Sequence, residues 1–280
     1  MEKRPYGSSG EMLSVVGFGG IMVMNETQEV ANNYVAEAID MGINYFDVAP
    51  SYGNAEERLG PALAGKRDKV FLACKTEKRT KIESEEALKK SLQTLKTNYF
   101  DLYQLHSIST LEDVYTIIGP AGALETLIKA KENGLIRHIG FSAHNEEAAI
   151  LLMDQFPFES VLFPLNWVNM FSSGFGKKII EEAEKKKITM LALKSMAKTV
   201  IEQNQKRNFE KCWYEPINDK TLAQLAFRYT LSHPVTAAIT PGYMMFLRWA
   251  AEIAENFKPI TKEEENVLRK ESKGLKPIFS

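Results

Sequence analysis

Short apolar runs recur along the chain at 15–17, 43–47, 70–75, 100–106, 136–141, 161–165, 188–193 and 235–240, each bounded by polar or turn-forming residues. Runs of this length read as strands. Between them the apolar spacing changes to three and four, as in Leu88, Leu92 and Leu95 or Leu222, Leu225, Ala226 and Tyr229. That spacing gives a helix one apolar face to lay on a sheet. Asn54 with Glu57, Thr80 with Glu83 and Thr261 with Glu264 have the separation of a capping side chain and a third-position carboxylate, and Gly134 follows the helical pattern of 123–132 as a stop. Eight strand-then-helix units predict an α/β fold of the closed (β/α)8 TIM-barrel type. The opening Pro5-Tyr6-Gly7-Ser8-Ser9-Gly10 is turn-rich between two extended pieces, which predicts an N-terminal β-hairpin closing the barrel's bottom. With no low-complexity stretch and no linker, 1–280 reads as one barrel domain.

Composition narrows the function classes. At 44% hydrophobic and 25% charged, 280 residues bury a substantial core. The balance of 35 basic against 36 acidic side chains gives no electrostatic reason to expect nucleic acid or an anionic membrane surface, so a small molecule is the expected ligand. The first residues carry Glu2, Lys3, Arg4 and Glu11 without an apolar core, and no later stretch approaches a spanning length. Cys74 and Cys212 stand far apart without companion ligands, which fits a reducing, cytoplasmic setting and argues against a metal or cluster domain. Cys74 is expected to be an inert thiol facing the helices.

The candidate chemistry lies at the downstream ends of successive strands, where a parallel barrel gathers its active site. Period two sends Ile43, Tyr45 and Asp47 to one side of their run, Phe71, Ala73 and Lys75 to one side of the next, and Leu102, Gln104 and His106 to one side of the third. Tyr52 follows Asp47 by five residues, in Pro50-Ser51-Tyr52-Gly53. A lone buried Asp, Lys or His at a strand end is often only structural. Their coincidence at equivalent positions points instead to a site. A phenol titrates near pH 10, and a neighbouring ammonium lowers that value, so Lys75 is expected to activate Tyr52 while Asp47 holds Lys75 and His106 donates to a substrate carbonyl oxygen. Such a set reduces a carbonyl if hydride is supplied, and no side chain supplies it, so a nicotinamide cofactor is implied. Gly17-Phe18-Gly19-Gly20 is not a dinucleotide loop, because the last glycine of that pattern falls on Met22.

These stretches, together with Ala73-Cys74-Lys75-Thr76, Asp101-Leu102-Tyr103-Gln104-Leu105-His106, Gly134-Leu135-Ile136-Arg137-His138-Ile139-Gly140-Phe141-Ser142 and Thr240-Pro241-Gly242, resemble the aldo-keto reductase superfamily over essentially the whole chain. The resemblance implies a tetrad of Asp47, Tyr52, Lys75 and His106, with Tyr52 the general acid in reduction. It implies NADPH, with NADH as the other option, bound across the strand ends by Gly20, Ile21, Asp47, Ser142, Asn166, Lys194, Ser195, Gly242 and Arg248. Asn166 is otherwise a loop brace. The chain departs from the family pattern where Ala143 replaces the asparagine after Ser142, Leu162 replaces a glutamine, and Gly242 and Tyr243 replace a lysine and a serine. Contacts with a small carbonyl substrate are expected from Tyr52, His106, Trp167 and Trp213 in a short, open pocket. The expected protein is a monomeric reductase. Two rivals stay open: a cofactor-binding sensing subunit with little turnover, and a Schiff-base lyase using Lys75 as nucleophile.

Overall fold

The structure, a computed structural model, describes residues 1–204 and 206–280. Strands β1 (Lys3–Pro5) and β2 (Met12–Ser14) form the antiparallel hairpin. There follow β3 (Val16–Gly19), β4 (Tyr45–Asp47), β5 (Phe71–Thr76), β6 (Phe100–Ile108), β7 (Ile136–Ala143), β8 (Ser160–Pro164), β9 (Thr189–Leu193), β10 (Ala197–Val200), β11 (Tyr214–Pro216) and β12 (Ala237–Ile239). The eight strands expected from the apolar runs close into a parallel barrel in the order β12-β3-β4-β5-β6-β7-β8-β9. The helices are α1 (Gln28–Asp40), α2 (Ala55–Ala62), α3 (Lys81–Thr94), α4 (Leu111–Ile118), α5 (Ala123–Glu132), α6 (Glu146–Gln155), α7 (Trp167–Ser172), α8 (Lys177–Lys186), α9 (Lys220–Leu231), α10 (Met244–Glu255) and α11 (Lys262–Glu271).

Strand alternation divides the apolar residues into two layers. Tyr45, Phe71, Ala73, Leu102, Leu162, Leu191 and Ala237 fill the barrel, while Phe46, Leu72, Cys74, Tyr103 and Leu105 pack outward with the helices. Ile43 departs from the expected parity: β4 begins only at Tyr45, so Ile43 precedes the alternation and joins the outer layer. The hairpin floors the barrel with Tyr6 and Leu13, both buried, and the Tyr6 hydroxyl donates to Ser160 Oγ at 2.8 Å. Each such burial contributes about 2 kcal/mol.

Of the expected caps, Thr261 with Glu264 forms a full capping box on α11. Thr80 instead donates to the Glu83 carboxylate at 2.7 Å, and Asn54 Oδ1 accepts from the Asn25 backbone across the surface. Both side chains found partners other than the backbone of their own helix. Gly134 does end α5, in the left-handed region at φ +72° where a side chain is strained.

No apolar run marked β10 and β11, which pair antiparallel as a ribbon between β9 and α9. Shortly before β11, Lys211 crosses the barrel mouth toward β3: its Nζ reaches the Met22 carbonyl at 2.6 Å and Glu26 at 2.7 Å. Residues 276–279 return over the same end, where Ile278 N donates to Asn169 Oδ1 and the Phe279 ring meets His144, Phe175 and Trp213 at 5.0, 5.5 and 5.6 Å.

Candidate active site

Asp47 ends β4, Lys75 sits near the end of β5 and His106 near the end of β6, so parallel pairing alone brings the three strand ends to one mouth. Asp47 and Lys75 are sealed from solvent and directly hydrogen-bonded to each other. Lys75 Nζ also donates to Tyr52 Oη at 3.4 Å and lies 5.1 Å from the centre of that ring. The Tyr52 ring stands edge-on to His106, with centroids 6.0 Å apart. All four expected residues therefore meet. Gln104 and Tyr45 join them, donating to Asp47 Oδ2 at 3.1 and 3.4 Å. The parity of the strands had already put both side chains inside the barrel, which was the available signal.

Burial and charge set the protonation states. Burial alone would lower the Lys75 ammonium, but the adjacent Asp47 charge and Tyr52 outweigh it and hold it above its ordinary value. Burial raises Asp47, against the opposing donors Lys75, Gln104 and Tyr45. For Tyr52 the expected net lowering is reversed: desolvation raises the phenol, and Lys75 only partly offsets it. Tyr52 thus keeps its proton throughout the neutral range. Burial, reinforced by the positive charge of Lys75, drives His106 down to about 2. Its imidazole is therefore neutral and carries a single N–H.

Beside the tetrad a cleft of about 150 Å³ runs between Ile21, Leu162, Lys194, Trp213 and Gly242. It is narrow against the ~300–1,000 Å³ of a typical ligand pocket because the Lys211 crossing covers it. Lys194, in the left-handed region at φ +64°, lies 4.8 Å from the Trp213 ring centre and 5.4 Å from that of Tyr214. Burial lowers its ammonium to about 8. The hydroxyls of Ser195 and Thr240 are buried without a hydrogen-bond partner. A Cβ on Gly242 would stand 2.9 Å from Ile21 Cγ2 and 3.2 Å from Lys211 Cβ, so only glycine leaves that wall open. A cation and two free hydroxyls suit a phosphate-bearing dinucleotide.

Other expected contacts fall elsewhere. Asn166 takes the bracing role: its amide donates to the Lys194 and Ala197 carbonyls at 3.1 and 2.7 Å, and its oxygen caps α7. Trp167 is fully buried with its indole N–H on the Ala197 carbonyl at 3.0 Å, so it packs and does not face the cleft. Arg248 is gripped bidentately by Glu37 at 2.6 and 2.9 Å on the outer face. Ser142, second from the end of β7, stands at the mouth beside His106 with its Oγ accepting from Ser107 N at 2.8 Å. Gly20 serves close packing, since a Cβ there would meet Val48 at 2.8 Å. Ile21 and Trp213 do line the cleft. The Lys211 latch and Phe279 were missed, because a surface lysine and a lone aromatic carry no periodic signal.

Cys74 is buried on the helix-facing side of β5, as its strand parity predicted, with its thiol 3.4 Å from Glu56. A cavity of about 650 Å³ lies at the opposite end against the hairpin and contains none of the tetrad. Among the described residues no helix is long and apolar enough to cross a membrane, and no cluster of His, Cys, Asp and Glu is arranged to hold a metal ion.

Comparison with known proteins gives the family and the fold. The family model of the aldo/keto reductase family matches residues 15–267. The uncharacterized oxidoreductase YqkF of Bacillus subtilis is 27% identical, covering 98% of this chain and 97% of its own. Methylglyoxal reductase DkgA of Yersinia pestis is 34% identical over 47% of this chain and 45% of its own. In fold, the holo form of aldo-keto reductase AKR11C1 from Bacillus halodurans superposes with a TM-score of 0.76 at 24% identity, covering 99% and 98% of the two chains. The chain belongs to the aldo/keto reductase family and is an NAD(P)H-dependent oxidoreductase.

Proposed function

We propose that this chain reduces small aldehydes and ketones to alcohols with NADPH, Tyr52 acting as the general acid. The observation carrying this reading is the continuous contact from Asp47 through Lys75 to the Tyr52 hydroxyl beside a neutral His106. A bound nicotinamide supplies the hydride. Tyr52 holds a proton at neutral pH and presents it to the carbonyl oxygen, while the Lys75 ammonium stabilises the phenolate left behind. Asp47, fixed by Gln104 and Tyr45, keeps Lys75 charged and aimed. The neutral His106 has one N–H with which to orient the carbonyl.

Lys194, Ser195 and Thr240 are the residues that would hold the cofactor's phosphates and hydroxyls. Leu162 lines the cleft and Ala143 is buried, so the nicotinamide amide must find its partners elsewhere. Opening the Lys211 crossing would admit the dinucleotide. Preference for NADPH over NADH rests on Arg248 leaving Glu37 for a 2′-phosphate, as a guanidinium fork favours.

The charged Lys75 argues against the Schiff-base alternative, which needs a free amine. The large exposed apolar side chains Met12, Ile82, Tyr115, Ile128, Trp213 and Val267 lie no two on one element, and this supports a monomer acting as one barrel unit. The test is oxidation of NADPH and NADH against small aldehydes and dicarbonyls, with Tyr52→Phe alongside. Turnover lost in Tyr52→Phe, by at least ~100-fold, is the expected result. Cofactor binding without any wild-type turnover would point to the sensing subunit instead.

A further inference from the structure

The backbone is irregular at His106. The β6–β7 ladder runs regularly to Leu105, then slips before Ile108. Ser107, inside the slip, has φ +58°, a left-handed conformation that is strained for a residue with a side chain. Something must hold this bend. On one side Ser107 N donates to Ser142 Oγ and Ser107 Oγ meets His144 Nδ1 at 3.2 Å. On the other, Arg79 Nη2 donates to the carbonyls of His106 and Ser107 at 2.9 and 3.4 Å.

Arg79 is itself fixed. Its Nε donates to Asp113 Oδ1 at 2.8 Å, and Asp113 Oδ2 accepts from Ser109 N, which ties the guanidinium to the start of α4. Its backbone carbonyl accepts from Ala123 N at 2.8 Å, at the start of α5. Nη1 is buried without a partner, so the fork spends its bonds on Asp113 and the two carbonyls. A lysine offers no fork and would not span them. By contrast, the His106 ring has little to hold it: Nδ1 has no hydrogen-bond partner, with the Glu77 carboxylate 3.4 Å away.

We propose that Arg79 is a positioning residue for carbonyl reduction, clamping the bent His106–Ser107 backbone and thereby fixing where the imidazole stands relative to Tyr52. This rests on the reductase reading of the barrel mouth. The rival role is a structural tie between β6 and α4, which would lower stability without moving the ring.

Arg79→Met separates the two. Expected are a kcat about 10–100-fold lower with small aldehydes, an NADPH Kd within about twofold of wild type, and shifted His106 imidazole resonances in 15N-histidine spectra. In a His106→Ala background the same change should cost less than about twofold, because the positioned group is gone. A loss as large in that background as in wild type, or unmoved His106 resonances, overturns the proposal. If Arg79→Met does not fold, Asp113→Asn, which releases Arg79 from its anchor, carries the same measurements with a smaller shift in the same direction. If wild type itself shows no turnover, the reductase reading fails, while the His106 resonances still decide whether Arg79 sets the ring.

Discussion

At the closed end of the barrel, His138 stands between two carboxylates: Nδ1 is 2.5 Å from Glu159 and Nε2 is 2.6 Å from Glu11. A neutral imidazole donates from one nitrogen only, so this geometry requires the doubly protonated ring. Glu11 belongs to the hairpin and Glu159 precedes β8, which makes His138 a charged clamp fastening the floor to the barrel. Burial would lower His138, but Glu159 and Glu11 more than offset it and raise the imidazole above its ordinary value. His138, Lys131 and the Ile139 N–H hold Glu159 down at about 2 from 4.5, against an opposing contribution from burial. That shift, at ~1.4 kcal/mol per unit, corresponds to about 3 kcal/mol, which solvent screening of the partly exposed carboxylate reduces to roughly 1–2 kcal/mol. The signs differ. The raised histidine contributes fully below pH 6.5, and its contribution fades as pH rises through the folded value. The depressed carboxylate contributes above pH 4.5 and fades as pH falls toward 2. The clamp is therefore strongest between about pH 4.5 and 6.5. Urea unfolding of wild type and Glu11→Gln across pH 5–9 tests this, because the variant keeps the ring and its contacts with Tyr6 and Phe71 while removing one charge. The expected difference is about 1 kcal/mol near pH 6, shrinking as pH rises through the folded value of His138. A difference that does not change with pH would refute the charged clamp.

Lys75→Met should abolish turnover and lower stability by roughly 3–5 kcal/mol, because Asp47 would be left buried without its counter-charge; equilibrium denaturation measures the second effect. Gly17→Ala should cost about 1–3 kcal/mol by the same assay, since the added methyl would stand 2.7 Å from Tyr45 Cδ1 inside the filled barrel. Trp167→Phe removes the donor to Ala197 and should lower Tm by a few degrees while leaving KM for small aldehydes unchanged; a raised KM would return Trp167 to the substrate pocket.

The eight barrel strands and their closure were legible in the sequence from local periodicity, and the hairpin floor from its turn residues, whereas β10 and β11 carried no apolar run and Tyr52 lies in a loop outside any alternation. Strand alternation decides which side chains face inward, and parallel β/α repetition brings strand ends to one mouth, so Asp47, Lys75 and His106 were placed together by counting. Tertiary structure decided what periodicity does not encode. Asn166 and Trp167 were absorbed by the Ala197 carbonyl, and Arg248 by Glu37, because long polar side chains bind whichever partner the packed helices bring within reach. The sign of the Tyr52 shift depended on burial, which exists only after the chain has closed around it. The Arg79 clamp and the Lys211 crossing join residues 27 and 189 positions apart, and a pattern along the chain carries no record of contacts between its irregular segments.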